Sequence, residues 1–137
     1  MIEEELIKSA LAARRLSYSP YSGFQVGAAL LTKDGKIYTG CNIENAAYSP
    51  SNCAERTAFF KAVSEGARDF SAIAIVGGNR EHGAKDFCAP CGVCRQVMAE
   101  FCEPESFRII LGKENLEFQV YTLDKLLPKG FGRGNLV

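Results

Sequence analysis

The sequence predicts an α/β fold, a three-layer α-β-α sandwich whose mixed five-stranded sheet carries helices on both faces. Three observations lead there. Two apolar segments, "FQVGAALL" and "IYTGCNIE", flank "KDGK" and read as an antiparallel hairpin. Strand-like and helix-like patterns then alternate, as they do where a sheet is covered by crossover helices. Between them, "SAIAIVGG" is almost continuously apolar, the composition of a strand buried on both faces. The chain has 137 residues, 47% of them hydrophobic, which is enough for one core without covalent staples. With no repeat, linker or low-complexity stretch, a single domain over 1–137 is expected.

The elements follow in order. A helical pattern runs from about Ile2 to Leu16, with Leu6, Ala10, Ala13 and Leu16 near one stripe. "SYSPYSG" breaks it, and the hairpin follows. "AAYSPSN" is loop, and "CAERTAFFKAVSEG" is helical with Gly66 as its C-terminal stop. After the buried strand comes a long loop between Gly77 and Pro90, then the helix "CGVCRQVMAEF" with Cys91 at its start. "FRIILG" and "EFQVYTL" are two further strands, and "LDKLLPKGFG" is a short turn or helix leading into a Gly-rich tail.

Lys+Arg and Asp+Glu both number 16, so the formal net charge is zero. A protein that grips a nucleic acid polymer usually leaves a basic footprint, so none is expected as a partner. No apolar run approaches the ~18 residues of a membrane span, and none is expected to cross one. The start, "MIEEELIKSA", is acidic where a signal peptide would be basic and then apolar, so a cytoplasmic location is expected.

Six cysteines are many for such a protein: Cys41, Cys53, Cys88, Cys91, Cys94 and Cys102. In a reducing compartment a cysteine cluster points to metal or catalysis more than to disulfides. Cys91 and Cys94, three apart, share a helix face and form half of a tetrahedral zinc site. A helix N-terminus favours the ligating thiolate through its partial positive charge and free N–H groups. The third ligand is Cys53, which heads another helix, or Cys88, which precedes Pro90 in extended chain; the helix head favours Cys53. Three thiolates would leave a fourth zinc position open, whereas a closed site including Cys88 would not. Glu55 lies two residues after Cys53, about 200° away on a regular helix. The two serve one site only if the helix begins between them. Placed so, the carboxylate can move protons between water and a substrate nitrogen.

Six blocks carry a resemblance across nearly the whole chain: "YSGFQVGAALL", "GCNIENAAY", "CAERTA", "SEGARDFSAIAIV", "PCGVCRQVM" and "LLPKGFG". In this order they resemble the small, homotetrameric, zinc-dependent cytidine deaminases of the cytidine/deoxycytidylate deaminase superfamily. The resemblance implies hydrolytic deamination of cytidine and deoxycytidine to uridine and deoxyuridine plus ammonia, a step of pyrimidine salvage. It implies one Zn²⁺ per chain on Cys53, Cys91 and Cys94, with Glu55 as the catalytic proton carrier. Arg56 matches an arginine that hydrogen-bonds a zinc-bound thiolate and draws off negative charge. Phe24 matches the aromatic against the pyrimidine, and Asn42 and Glu44 match the pair that holds the ribose 3′-hydroxyl. Ala54, Ala46 and Tyr48 are placed near the substrate by the same analogy. Phe131 matches the C-terminal aromatic that reaches a neighbouring subunit's pocket, which implies a homotetramer with shared active sites. Gln25 departs from the proline of many relatives, and Cys88 is outside the common pattern.

Three rivals remain at this level. A polynucleotide deaminase would need a basic groove that zero net charge does not supply. A deaminase of cytosine-nucleoside antibiotics would share the zinc blocks. A structural zinc module would share the cysteines without the chemistry.

Overall fold

The computed structural model describes residues 1–136. Its sheet has the order β2-β1-β3-β4-β5, from β1 (Phe24–Thr32), β2 (Ile37–Cys41), β3 (Phe70–Asn79), β4 (Arg108–Gly112) and β5 (Phe118–Thr122). Only β3 and β4 pair in parallel, across the α3 crossover, and the other three pairings are antiparallel. Helix α1 (Ile2–Arg14) covers one face, while α2 (Ala54–Ser64) and α3 (Gly92–Phe101) cover the other. A single turn, α4 (Leu123–Leu126), leads into the C-terminal segment. Among the described residues no helix is long and apolar enough to cross a membrane.

The period-2 alternation of β3 divides its side chains between two cores. Ile73 and Ile75 face α2 and α3, with Phe59, Met98, Phe107 and Ile109. Ala72, Ala74 and Val76 face α1, with Leu6, Ile7 and Ala10. The residues toward α1 are small, and this lets the helix lie close. A Cβ on Gly27 would come within 2.0 Å of the Ala10 carbonyl oxygen, and one on Gly112 within 2.8 Å of Ile7. On the other face, a Cβ on Gly40 would meet the Ala54 carbonyl oxygen at 2.5 Å and the Ala58 nitrogen at 2.6 Å. Gly40 therefore sets how closely the first turn of α2 approaches the sheet.

Two details depart from the sequence expectation. Leu16 is not part of the α1 stripe: the helix ends at Arg14, and Leu16 is 78% exposed. The strand β3 also runs to Asn79, so the loop begins at Arg80 and not at Gly77. Phe24, Gln25 and Val26 supply the antiparallel partners that keep Gly77, Gly78 and Asn79 extended.

The close approach of α1 gives a direct test. Gly27→Ala forces backbone to move, and overpacking of this kind costs about 1–3 kcal/mol. A urea titration should show that loss. Gly134→Ala, whose added Cβ meets nothing within 4 Å, should leave the midpoint unchanged.

Candidate active site

Cys53 is the N-cap of α2 and Cys91 the N-cap of α3, both in extended backbone. The helix does begin between Cys53 and Glu55, which lets the two face one place. Around Cys53, Thr57 donates from both its backbone N–H and its hydroxyl to the Cys53 carbonyl, at 3.0 and 3.1 Å. At the other head, Cys94 N–H donates to the Cys91 sulfur at 3.5 Å. The Cys53 and Cys91 sulfurs lie 3.7 Å apart, and those of Cys91 and Cys94 lie 3.4 Å apart. Both separations far exceed the ~2.05 Å of a disulfide, and all six cysteines are free.

Three thiolates so close repel strongly. At 4 Å and an effective dielectric of about 20, each pair costs about 4 kcal/mol. Without a cation the trio therefore shares protons. Cys53 is the thiolate, pushed down to about 5 by hydrogen bonds from Cys94, then Arg56 and Cys91. Cys94 holds its proton, raised by its bond to Cys53 and by burial. Arg56 Nη2 donates to the Cys53 sulfur at 3.3 Å. This is the contact that the resemblance implied for Arg56 and that an ordinary surface arginine would not make.

Glu55 is 4% exposed. Burial pushes its carboxyl up to about 7, and the neighbouring Cys53 charge adds to the rise. A carboxyl near neutrality can both accept and release a proton at physiological pH, as a proton carrier must.

A cavity of about 310 Å³ opens beside these groups, lined among others by Val26, Asn42, Glu44, Ala54, Glu55, Arg56 and Cys91. Ala54, Asn42 and Glu44 are thus brought to the trio. Glu44 also accepts from the Tyr21 and Ser22 N–H groups at 3.0 and 3.1 Å and from the Ser22 hydroxyl. The Ser22 bond is the main reason its carboxyl sits below the usual glutamate range. Asn42 is more committed. Its Oδ1 accepts from Ser17 and from Val26 N–H, and Nδ2 donates to the Phe24 carbonyl at 2.8 Å. One amide N–H remains for a ligand.

The other expected contacts lie farther out. Phe24 is 41% exposed and does not line the cavity; its ring lies beside Gly77. Tyr48, at φ 63°, lines an adjoining depression with Tyr21 and Glu44. Ala46 lies on the same loop and lines neither cavity. Phe131 is 56% exposed, lies by α4 and α3, and is not among the residues lining the cavity beside its own chain's trio.

Sequence reasoning missed Ser17 and Ser22, which it treated as part of a chain break, yet both anchor the polar side chains of the cavity. It weighed Cys88 as the alternative third ligand and favoured Cys53. Cys88 lines the cavity, its thiol raised to about 11 by burial, and it stands outside the metal-binding trio.

The trio suits zinc. A tetrahedral ion with Zn–S bonds of about 2.3 Å places sulfurs about 3.8 Å apart, near the spacings found here. Among the described residues, Cys53, Cys91 and Cys94 form the one such group, their sulfurs all within 4.8 Å of one another. Three thiolates would hold such an ion with fewer protein ligands than the four of a closed structural site.

Comparison with known proteins agrees. A family profile described as the cytidine and deoxycytidylate deaminase zinc-binding region matches residues 1–109. The chain is 51% identical to a cytidine deaminase of Sporosarcina psychrophila over 133 residues, covering 97% of this chain and 93% of that one. It is 52% identical to a cytidine deaminase of Halalkalibacterium halodurans over 131 residues, covering 96% and 95%. The crystal structure of cytidine deaminase from Burkholderia pseudomallei superposes with a TM-score of 0.86 at 48% identity, over 96% of this chain and all of that one. The α-β-α frame, the thiol trio and these relatives agree, and the chain belongs to the cytidine and deoxycytidylate deaminase family.

Proposed function

We propose that this protein hydrolyses the C4 amino group of cytidine and deoxycytidine in the cytoplasm, releasing uridine or deoxyuridine and ammonia. One observation carries the reading: Cys53 and Cys91 of the converged thiol trio line, with the buried Glu55, one cavity that also presents Asn42 and Glu44. When bound at Cys53, Cys91 and Cys94, zinc supplies the Lewis acidity that makes water nucleophilic at neutral pH.

The chain's own residues do the rest. Glu55 takes one proton from the attacking water and delivers it to ring N3. It then carries the second to the departing amine, so that C4–N breaks as C4=O forms and ammonia leaves. Its burial keeps bulk water from competing for these protons and holds its pKa near 7. Arg56 disperses the negative charge of the thiolates by donating to Cys53. Glu44, fixed by Tyr21 and Ser22, offers an ionised acceptor to a sugar hydroxyl, and Asn42 its remaining N–H. The ring of Phe24 and the neutral Cys88 thiol give the base an apolar margin. Cytosine-nucleoside antibiotics are the competing substrate class, and an activity screen over them and both nucleosides separates the two.

We further propose a homotetramer in which Phe131 covers a neighbour's cavity. Its exposure and its place outside its own chain's cavity support this, as does a tether made through the backbone: Gln96 holds the Phe131 carbonyl, at 2.7 Å.

Three outcomes are expected. Cys53→Ala, Cys91→Ala or Cys94→Ala should each lower zinc well below one per chain by metal analysis, while Cys88→Ala should keep it near one. If Cys88→Ala strips the metal and Cys53→Ala does not, the ligand set is wrong. Glu55→Gln should keep zinc and fold but lose activity by ~10²–10⁴-fold or more, read from the loss of cytidine absorbance. Near-normal turnover in that zinc-replete variant would remove Glu55 from the reaction.

The shared wall is tested by subunit mixing. Hetero-tetramers of a Cys91→Ala chain and a Phe131→Ala chain should recover activity above either parent, because some cavities then combine a live trio with an intact Phe131. Verified exchange without recovery would return Phe131 to its own subunit.

A further inference from the structure

The two residues that follow Cys94 do not point at the cavity, yet both hold distant carbonyls. Arg95 Nε donates to the Pro90 carbonyl at 2.9 Å, and Nη1 of the same guanidinium donates to the Leu126 carbonyl at 2.8 Å. Gln96 Nε2 donates to the Phe131 carbonyl at 2.7 Å. Among the described residues Arg95 has no carboxylate partner; its charge is spent on two backbone carbonyls. A half-buried guanidinium used in this way fixes geometry more than it stabilises by ion pairing.

The two carbonyls are well chosen for that. Pro90 O is the last carbonyl before the N-cap Cys91, so holding it sets the peptide that aims the Cys91 sulfur. Leu126 ends α4, and the chain from there to Phe131 turns sharply, with Lys129 in the left-handed region at φ 55°. A Cβ on Gly130 would come within 2.8 Å of Leu127, so this turn is tight. One side chain thus bridges the ligand-bearing peptide and the C-terminal segment, and its neighbour ties the far end of that segment to the same helix.

We propose that Arg95 and Gln96 strap residues 126–131 to the head of α3, coupling metal occupancy of the cysteine trio to the order of the C-terminal segment. The proposal rests on reading Cys53, Cys91 and Cys94 as zinc ligands. A bound ion immobilises Cys91 and with it the Pro90 carbonyl, which completes one side of the Arg95 bridge. Loss of the ion frees that peptide and weakens the hold on Leu126. Linkage makes the effect reciprocal: a docked segment tightens metal binding by the same factor. Arg95 and Gln96 are positioning residues, since they touch neither the trio's sulfurs nor the cavity. Where the segment also covers a neighbour's cavity, an empty trio in one subunit would loosen the wall of the next.

The test uses the full-length protein, as purified with zinc and after chelator treatment. Hydrogen exchange is followed in peptides from 126–136 and, as reference, from β5. In the unmodified protein, zinc removal should speed exchange of the C-terminal segment several-fold and leave β5 unchanged. In Arg95→Lys, which keeps the charge but loses the planar fork whose two separate nitrogens make the bridge, the segment should exchange fast with or without zinc. A merely structural contact would shift both states equally and preserve the metal-dependent difference. Zinc affinity, read by competition with a chromogenic chelator, should fall roughly 10–100-fold in Arg95→Lys, the range for outer partners of a metal site, and less in Gln96→Ala. Arg133→Ala, which removes only an exposed 3.9 Å contact to Glu100 on the same helix, should keep the original zinc affinity. Identical segment exchange with and without zinc in the unmodified, zinc-replete protein would overturn the coupling, as would unchanged zinc affinity in Arg95→Lys. A metal count on the unmodified protein separates this from failure of the ligand reading: no stoichiometric zinc at the outset removes the ligands, and the coupling with them.

Discussion

Bringing three sulfur anions to one point is the constraint on which the rest of the structure depends. Their mutual repulsion opposes it, so positive potential has to be supplied from outside the trio. Two helix N-termini point at the site, and Cys53 and Cys91 are themselves the caps, occupying positions that Ser, Asp or Asn usually fill. Arg56 adds a donor one turn inside α2. A divalent ion completes the balance, and the near-tetrahedral sulfur spacing shows that the backbone is already arranged for it.

That arrangement depends on a sheet built with little bulk at particular places. Gly40 lets the first turn of α2 rest on β2, which sets the height of Cys53 above the sheet. Gly77, near the end of β3, leaves room for Cys88 and the Phe24 ring; a Cβ there would meet the Cys88 sulfur at 2.8 Å. The cavity is thus partly a consequence of absent side chains. Packing on the opposite face follows the same logic, since α1 approaches over Gly27, Ala29, Ala72 and Ala74.

Around the cavity, polar groups serve the fold and remain partly available to a ligand. Asn42 joins β2 to Ser17 and to the first residues of β1 and still keeps one N–H. Glu44 holds the Tyr21–Ser22 turn and stays ionised at the cavity wall. The 44–51 loop is closed at its base by paired hydrogen bonds between Ile43 and Asn52, both 2.9 Å. Polar groups held so firmly lose little further freedom when a ligand arrives, which favours binding.

The layers, the strand count and the preference for Cys53 over Cys88 as third ligand were legible in the residues alone. Those rest on local rules: apolar periodicity, turn residues, and thiols placed where helices begin. The start of α2 between Cys53 and Glu55 was legible for the same reason, being a statement about one turn of chain. What depends on distant pairing was set by the fold alone. The extension of β3 to Asn79 is imposed by β1, and Leu16 falls outside the stripe because α1 stops at Arg14. That Ser17 and Ser22 anchor Asn42 and Glu44 follows from bringing the 17–22 segment alongside the end of β2, which no local pattern announces. The bridge of Arg95 to Leu126 likewise depends on a group 31 residues away. Hydrogen bonds between such separated groups leave no periodic trace in a sequence, because each is satisfied by the fold and not by its neighbours in the chain.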